Sequence, residues 1–225
     1  MMKFKSWVLG IGLLISNVAF SQTVQDGFRF LDRHQPSRAK QVFDGLVASA
    51  PTGENYFNLG LYYLHLRDWD NAKASFEKGK AADPKNYLNP VGLASILVGQ
   101  NNVSAAKVEF DKIIADTKSK NIDVLYRIAE AYSMYYILGK EESFNANNND
   151  PGEAIRLIDV IQERMLKDKK LPAPEHYIVK GDAFLIKNDG GNSVTAYEAA
   201  IAQDPRNVKA KVKIGTVYLR GKNYK

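Results

Sequence analysis

The strongest constraint on this chain is a recurrence of small and aromatic positions along almost its whole length. Gly27, Gly60, Ala94, Ala129 and Gly181 each begin a pattern that resumes at Ala39, Ala72, Ala106, Ala154 and Ser193. Phe43, Phe76, Phe110, Ile158 and Tyr197 follow four residues later in every copy. A sixth copy starts at Ile214-Gly215 and Tyr218 and reaches Tyr224. A unit of this length cannot bury an apolar face by itself, so neighbouring units must stack to make a core. Small residues at fixed positions are expected where two helices approach closely, and the large ones should fill the space between units. No run of alternating apolar and polar residues competes with this reading, so strands are not expected.

The clearest copy reads Tyr56-x2-Leu59-Gly60-x2-Tyr63, then Ala72-x3-Phe76, then Asp83-Pro84. That order of aromatic, Leu-Gly, Tyr, Ala, Phe and Pro resembles the tetratricopeptide repeat (TPR) at each offset. The resemblance extends over residues 23–225. It implies an all-α, right-handed solenoid of antiparallel helix pairs, with repeats near 22–52, 53–86, 87–121, 122–173 and 174–207 and a partial one at 208–225. Pro51, Pro84 and Pro205 stand where one helix ends and the next begins, because proline lacks an N–H and restricts the residue before it.

The fourth repeat is irregular. Ala129 and Ala154 are 25 residues apart where the other copies have 12, an insertion of 13 residues. The first helix is expected to run on through Tyr132, Tyr135, Tyr136 and Leu138 into a polar loop over 139–152. A role in binding and a silent surface loop fit this insertion equally well. Its Asn-rich end supplies too few charged oxygens for a calcium loop. Asp150 is better placed to cap the following helix, with Pro151 in its first turn and Glu153 at its positive end. At the other irregularity, Tyr224-Lys225, the sixth repeat stops before its second helix, which suggests a longer protein.

Residues 1–21 combine Lys3 and Lys5, an apolar run from Trp7 to Phe20, and small residues up to Ser21. This is the pattern of a cleavable secretory signal, and the run is too short to span a bilayer. A periplasmic or secreted location is therefore expected, without a membrane span after cleavage. Loss of the two lysines leaves 29 basic against 25 acidic residues. These alternate along helices, as in Lys167-Asp168-Lys169-Lys170, and read as solvated faces and not as a nucleic-acid surface. The absence of cysteine removes disulfides and thiolate chemistry.

Enzyme signatures are missing too. His34, His65 and His176 fall in different repeats, without metal-ligand spacing, and are expected at the surface or in loops. Glu141-Glu142 sits in a polar loop with nothing to raise a carboxyl pKa. Neither catalytic residues nor a cofactor nor a metal is expected.

Resemblance to TPR proteins instead implies a binding surface on the concave side, lined by the first helix of each pair. Candidate partner-binding residues there are Phe57, Asn58, Leu61, Tyr126, Arg127, Glu130 and Asp182, with Leu64, Ser95 and Lys213 in the same register. The Lys, Arg and Asn cluster with which some TPR domains grip carboxylate tails is not reproduced. Tyr126 and Arg127 are the candidate anchors, since both residue types are enriched in binding hot spots. A purely structural role for them, with Arg127 paired to Glu130, is equally consistent with the spacing. A protein or peptide scaffold is the expected function. The alternatives are a module for envelope glycan or peptidoglycan, with Tyr126, Tyr132 and Tyr135 as platforms, and the regulatory arm of a larger protein.

Overall fold

The computed structural model describes residues 23–133 and 150–222, and every regular element among them is a helix. In order these are α1 (Val24–Asp32), α2 (Pro36–Ser49), α3 (Gly53–His65), α4 (Trp69–Ala82), α5 (Leu88–Gly99) and α6 (Val103–Asp116). They are followed by α7 (Ile122–Tyr132), α8 (Pro151–Lys167), α9 (Pro174–Ile186), α10 (Gly190–Gln203) and α11 (Val208–Lys222). Each odd-numbered helix through α9 packs on the even one that follows it. The odd helices from α1 to α9 also touch one another in succession. An all-α solenoid of helix pairs results, with the odd helices forming one continuous wall.

The turn inside a pair is built the same way in four repeats. His34, Arg67, Asn101 and Asn188 have φ of 56°, 59°, 64° and 57°, a left-handed conformation that ends an α-helix. The next residue then donates its N–H back five positions, as Asp68 does to the Tyr63 carbonyl at 3.0 Å and Asp189 to that of Phe184 at 2.9 Å. These same residues start the second helix. The side chains of Asp68, Asn102 and Asp189 accept from the N–H of Asn71, Ala105 and Asn192. One residue therefore closes one helix through its backbone and caps the next through its side chain. Gln35, at this position in the first repeat, makes no side-chain cap.

Asp83-Pro84-Lys85-Asn86 and Asp204-Pro205-Arg206-Asn207 make the turn between pairs in a second common way. Asp83 and Asp204 Oδ1 accept from the N–H of Lys85 and Arg206, and Asn86 and Asn207 Oδ1 accept from Leu88 and Ala210.

The core confirms what the small and large positions are for. Phe43, Phe76, Phe110, Ile158 and Tyr197 are all fully buried, as are Ala39, Ala72, Ala106, Ala154 and Ser193. A Cβ on Gly27 would overlap the Phe43 ring, one on Gly181 the Tyr197 ring, and one on either Gly60 or Gly92 the Phe76 ring. Glycine is needed there for close approach and not for an unusual φ, since none of the described glycines has a positive φ. Gly215 differs: nothing lies within 4 Å of a Cβ built on it, because no described helix covers that face of α11. Val208, Val212 and Leu219 on the same helix are exposed.

In the fourth repeat Asp150 caps α8 as expected, its Oδ1 accepting from Glu153 N–H at 3.0 Å, with Pro151 in the first turn. The expected continuation over Tyr135, Tyr136 and Leu138 and the loop up to 149 lie outside the described residues, as do residues 1–21. Among the described residues no helix is long and apolar enough to cross a membrane.

Candidate functional site

The wall of odd helices encloses a cavity of about 490 Å³. All six odd helices line it. From α3 come Phe57, Leu61, Leu64 and His65, from α5 Ser95, and from α7 Tyr126, Arg127, Glu130 and Ala131. Helix α1 contributes Val24, Phe28, Leu31, Arg29 and Asp32, while Glu175 of α9 and Lys209 of α11 close the far side. A second cavity of about 440 Å³ continues the first. It shares Asp32, Tyr126, Glu130, Glu175 and Lys209 and adds Ile178, Val179, Asp204 and Arg206. The end of α1 and the start of α11 thus face each other across one groove. A third hollow, of about 560 Å³, draws on α4, α5 and α6 alone.

Arg127 is the most constrained group in the groove. Its guanidinium carbon lies 5.5 Å from the centre of the Phe57 ring and 5.2 Å from that of Tyr126, within cation–π reach of both. Nη1 donates to Glu130 Oε2 at 2.7 Å, while Tyr126 Oη donates to Glu130 Oε1 at 3.3 Å. Both oxygens of Glu130 are therefore engaged from within α7. Burial disfavours the Arg127 charge, but Glu130, Tyr126 and Asp123 together outweigh it and the guanidinium pKa is raised. Burial, reinforced by Glu130, holds the Tyr126 phenol far above its ordinary range, so it stays a neutral donor.

Five of the seven predicted residues, Phe57, Leu61, Tyr126, Arg127 and Glu130, meet in this cavity, together with Leu64 and Ser95. Asn58 and Asp182 do not. Asn58 is only 5% exposed and does not line the cavity. Asp182, expected on the groove, is fully buried. Its Oδ1 accepts from Tyr197 Oη at 2.6 Å and from Lys213 Nζ at 2.6 Å, because α11 lies over this part of α9. Asp182 and Lys213 thus fasten the last described helix. Burial lowers the Lys213 pKa, against the opposing pull of Asp182. The groove residues missed by sequence reasoning, Val24, Phe28 and Leu31, occupy the register of Phe57, Leu61 and Leu64 one repeat earlier. The 33-residue step from Gly60 back to Gly27 would have found them.

His176 also departs from expectation. It is 7% exposed, packs at 5.3 Å and a tilt of 55° against the Tyr126 ring, and its Nδ1 has no hydrogen-bond partner among the described residues. Burial lowers its pKa below the ordinary 6.5, despite the nearby acids Glu175 and Asp123. The unfolded chain therefore binds a proton at higher pH than the folded one. Stability from neutral His176 is complete above about 6.5 and is lost as pH falls toward the lowered folded value. Urea titrations at a series of pH values are expected to show this loss, and His176→Leu is expected to flatten it. An unchanged slope in the variant would place the effect elsewhere.

Tetratricopeptide-repeat family models match two stretches of the chain, residues 53–86, which is the second helix pair, and residues 178–225. The chain is a tetratricopeptide-repeat protein. A TPR relative, Tetratricopeptide repeat protein 1 of Schizosaccharomyces pombe, is 31% identical over 81 residues. Those residues are 36% of this chain but 8% of that protein, so the chain spans a small part of its length. Among solved structures, a TPR protein of Parabacteroides merdae superposes with a TM-score of 0.57 at 15% identity, covering 87% of this chain and 69% of that one. A thermophilic TPR protein of Thermus thermophilus gives 0.57 at 14% identity over 87% and 97% of the two chains. Yeast Tom70 gives 0.54 at 19% over 88% and 39%. At these identities the likeness concerns the fold. TPR arrays serve in general as scaffolds for protein partners, and among the described residues no group of three or more His, Asp or Glu side chains is placed to hold a metal ion.

Proposed function

We propose that this TPR array is a non-enzymatic scaffold that takes up a segment of a partner protein along its concave groove. The observation that carries this reading is the single cavity lined by all six odd helices, with apolar side chains on α1 and α3 and an ordered Tyr126, Arg127 and Glu130 group on α7. A concave site of this size, mostly apolar with a few fixed polar groups, has the make-up of a binding pocket. The signal-like residues 1–21 support export, so the partner is sought in the cell envelope.

The glycan reading asked for three open tyrosine platforms. Tyr132 is 1% exposed in the core against Phe110, and Tyr126 is held against His176 and Glu130. Tyr135 lies outside the described residues. That leaves the peptide reading favoured by the groove.

The test is a pull-down from cell envelopes with the parent chain beside Tyr126→Ala/Arg127→Ala, circular dichroism showing that both are folded. A partner retained by the parent and depleted at least about tenfold by the variant is expected, as for loss of two hot-spot side chains. Equal retention by both would remove the groove from the account.

A further inference from the structure

We infer that the groove recognises a through-running, extended segment that places a large apolar side chain against α1 and α3 and an acidic side chain, two residues away, in the plane of the Arg127 guanidinium. This rests on the groove reading above and specifies its ligand. The apolar half of the requirement comes from Phe28, Leu31, Leu61 and Leu64, which form the wall of the cavity beside Phe57.

The acidic half comes from the way Arg127 is held. The Phe57 and Tyr126 rings lie against it, and a guanidinium donates hydrogen bonds only in its own plane, around its edge. One N–H is spent on Glu130, and among the described residues Nε and Nη2 have no hydrogen-bond partner. A planar fork with free edges, fixed in place before the ligand arrives, matches a carboxylate. Glu130 does not compete for the remaining edge, since both of its oxygens are already engaged by Arg127 and Tyr126.

The acid belongs to a side chain and not to a chain end, because the groove does not stop at Arg127. Beyond α7 it continues along Glu130 and Glu175 into the second cavity, so the bound chain runs on past that point. The two-residue spacing follows from extended backbone, in which alternate side chains share a face. Phe57 borders both the apolar wall and Arg127, so the two subsites are neighbours.

The test uses fluorescence anisotropy with the full chain and an amidated, fluorescein-labelled nonapeptide of Gly and Ser that carries Phe and, two residues on, Glu. Replacing that Glu by Gln is expected to weaken binding about tenfold, as for loss of a charged hydrogen-bond pair. Arg127→Gln is expected to bind both peptides as weakly as the parent binds the Gln form. Leu61→Glu is expected to abolish binding of both. Equal binding of the Glu and Gln peptides by the parent overturns the inference, and so does discrimination that persists in Arg127→Gln. If Leu61→Glu still abolishes that undiscriminating binding, the groove reading survives while the acidic subsite falls. A peptide ending in a free carboxylate two residues after Phe forms the remaining arm, and binding by it alone would overturn the through-running segment. Absence of binding to every peptide would also overturn the inference.

Discussion

Phe76→Ala is expected to destabilise the protein by about 3 to 5 kcal/mol in urea unfolding, the range for removing a fully buried aromatic ring. Phe76 belongs to α4, but its ring contacts Gly60 of α3 and Gly92 of α5 and is therefore shared between two repeats. It also lies 5.8 Å from the Phe57 ring, which forms part of the groove. The cavity left by Ala is bounded by two glycines that have no side chain to fill it, so little collapse is expected. A loss below about 1 kcal/mol would mean that the repeats are not joined through this ring. Gly60→Ala makes the converse case. The added methyl meets the Phe76 ring, and a cost of about 1 to 3 kcal/mol is expected from overpacking. Combining Gly60→Ala with Phe76→Leu is expected to cost less than the sum of the two single changes, since the smaller side chain makes room for the methyl.

Asp182→Leu is expected to cost about 3 to 5 kcal/mol as well, for an electrostatic reason. Lys213 has a side chain only 12% exposed, and Asp182→Leu takes away the carboxylate 2.6 Å from its ammonium. Tyr197 Oη loses its acceptor in the same step. Asp182→Leu/Lys213→Met is expected to recover much of that loss, because a buried pair replaced by apolar groups is often neutral. Recovery in the double variant would show that the penalty comes from the Lys213 charge. A double variant as unstable as Asp182→Leu would point to the lost Tyr197 hydrogen bond. Either result bears on how firmly α11 is held, and α11 supplies Lys209 to the groove.

The fold was legible because the signals that matter are local and repeated. Gly60 and Phe76 announce a close helix approach in sequence, and the structure places the ring on that glycine. Asp150 could be read as a cap from its neighbours Pro151 and Glu153 alone. The groove was legible only in part. Phe57, Leu61, Tyr126, Arg127 and Glu130 could be placed on it by register, whereas register alone put Asp182 there too. Asp182 occupies the place in the fifth repeat that Glu130 occupies in the fourth, yet α11 buries Asp182 while Glu130 still lines the cavity. That difference is tertiary, set by Lys213, which lies 31 residues on. His176 misled for a related reason. It packs against Tyr126, 50 residues earlier in the chain, and no local pattern marks that contact.

The central claim is that a protein partner lies in the concave groove, and site-specific photocrosslinking tests it most directly. A benzophenone side chain would be placed in turn at Leu61, in the groove, and at Val108, which is 67% exposed on α6 and does not line it. After irradiation in cell envelopes, the account predicts a defined protein adduct from the Leu61 position that is absent from the Val108 position. An adduct from Val108 with none from Leu61 would contradict it, placing the partner on the outer helices and leaving the groove without a role.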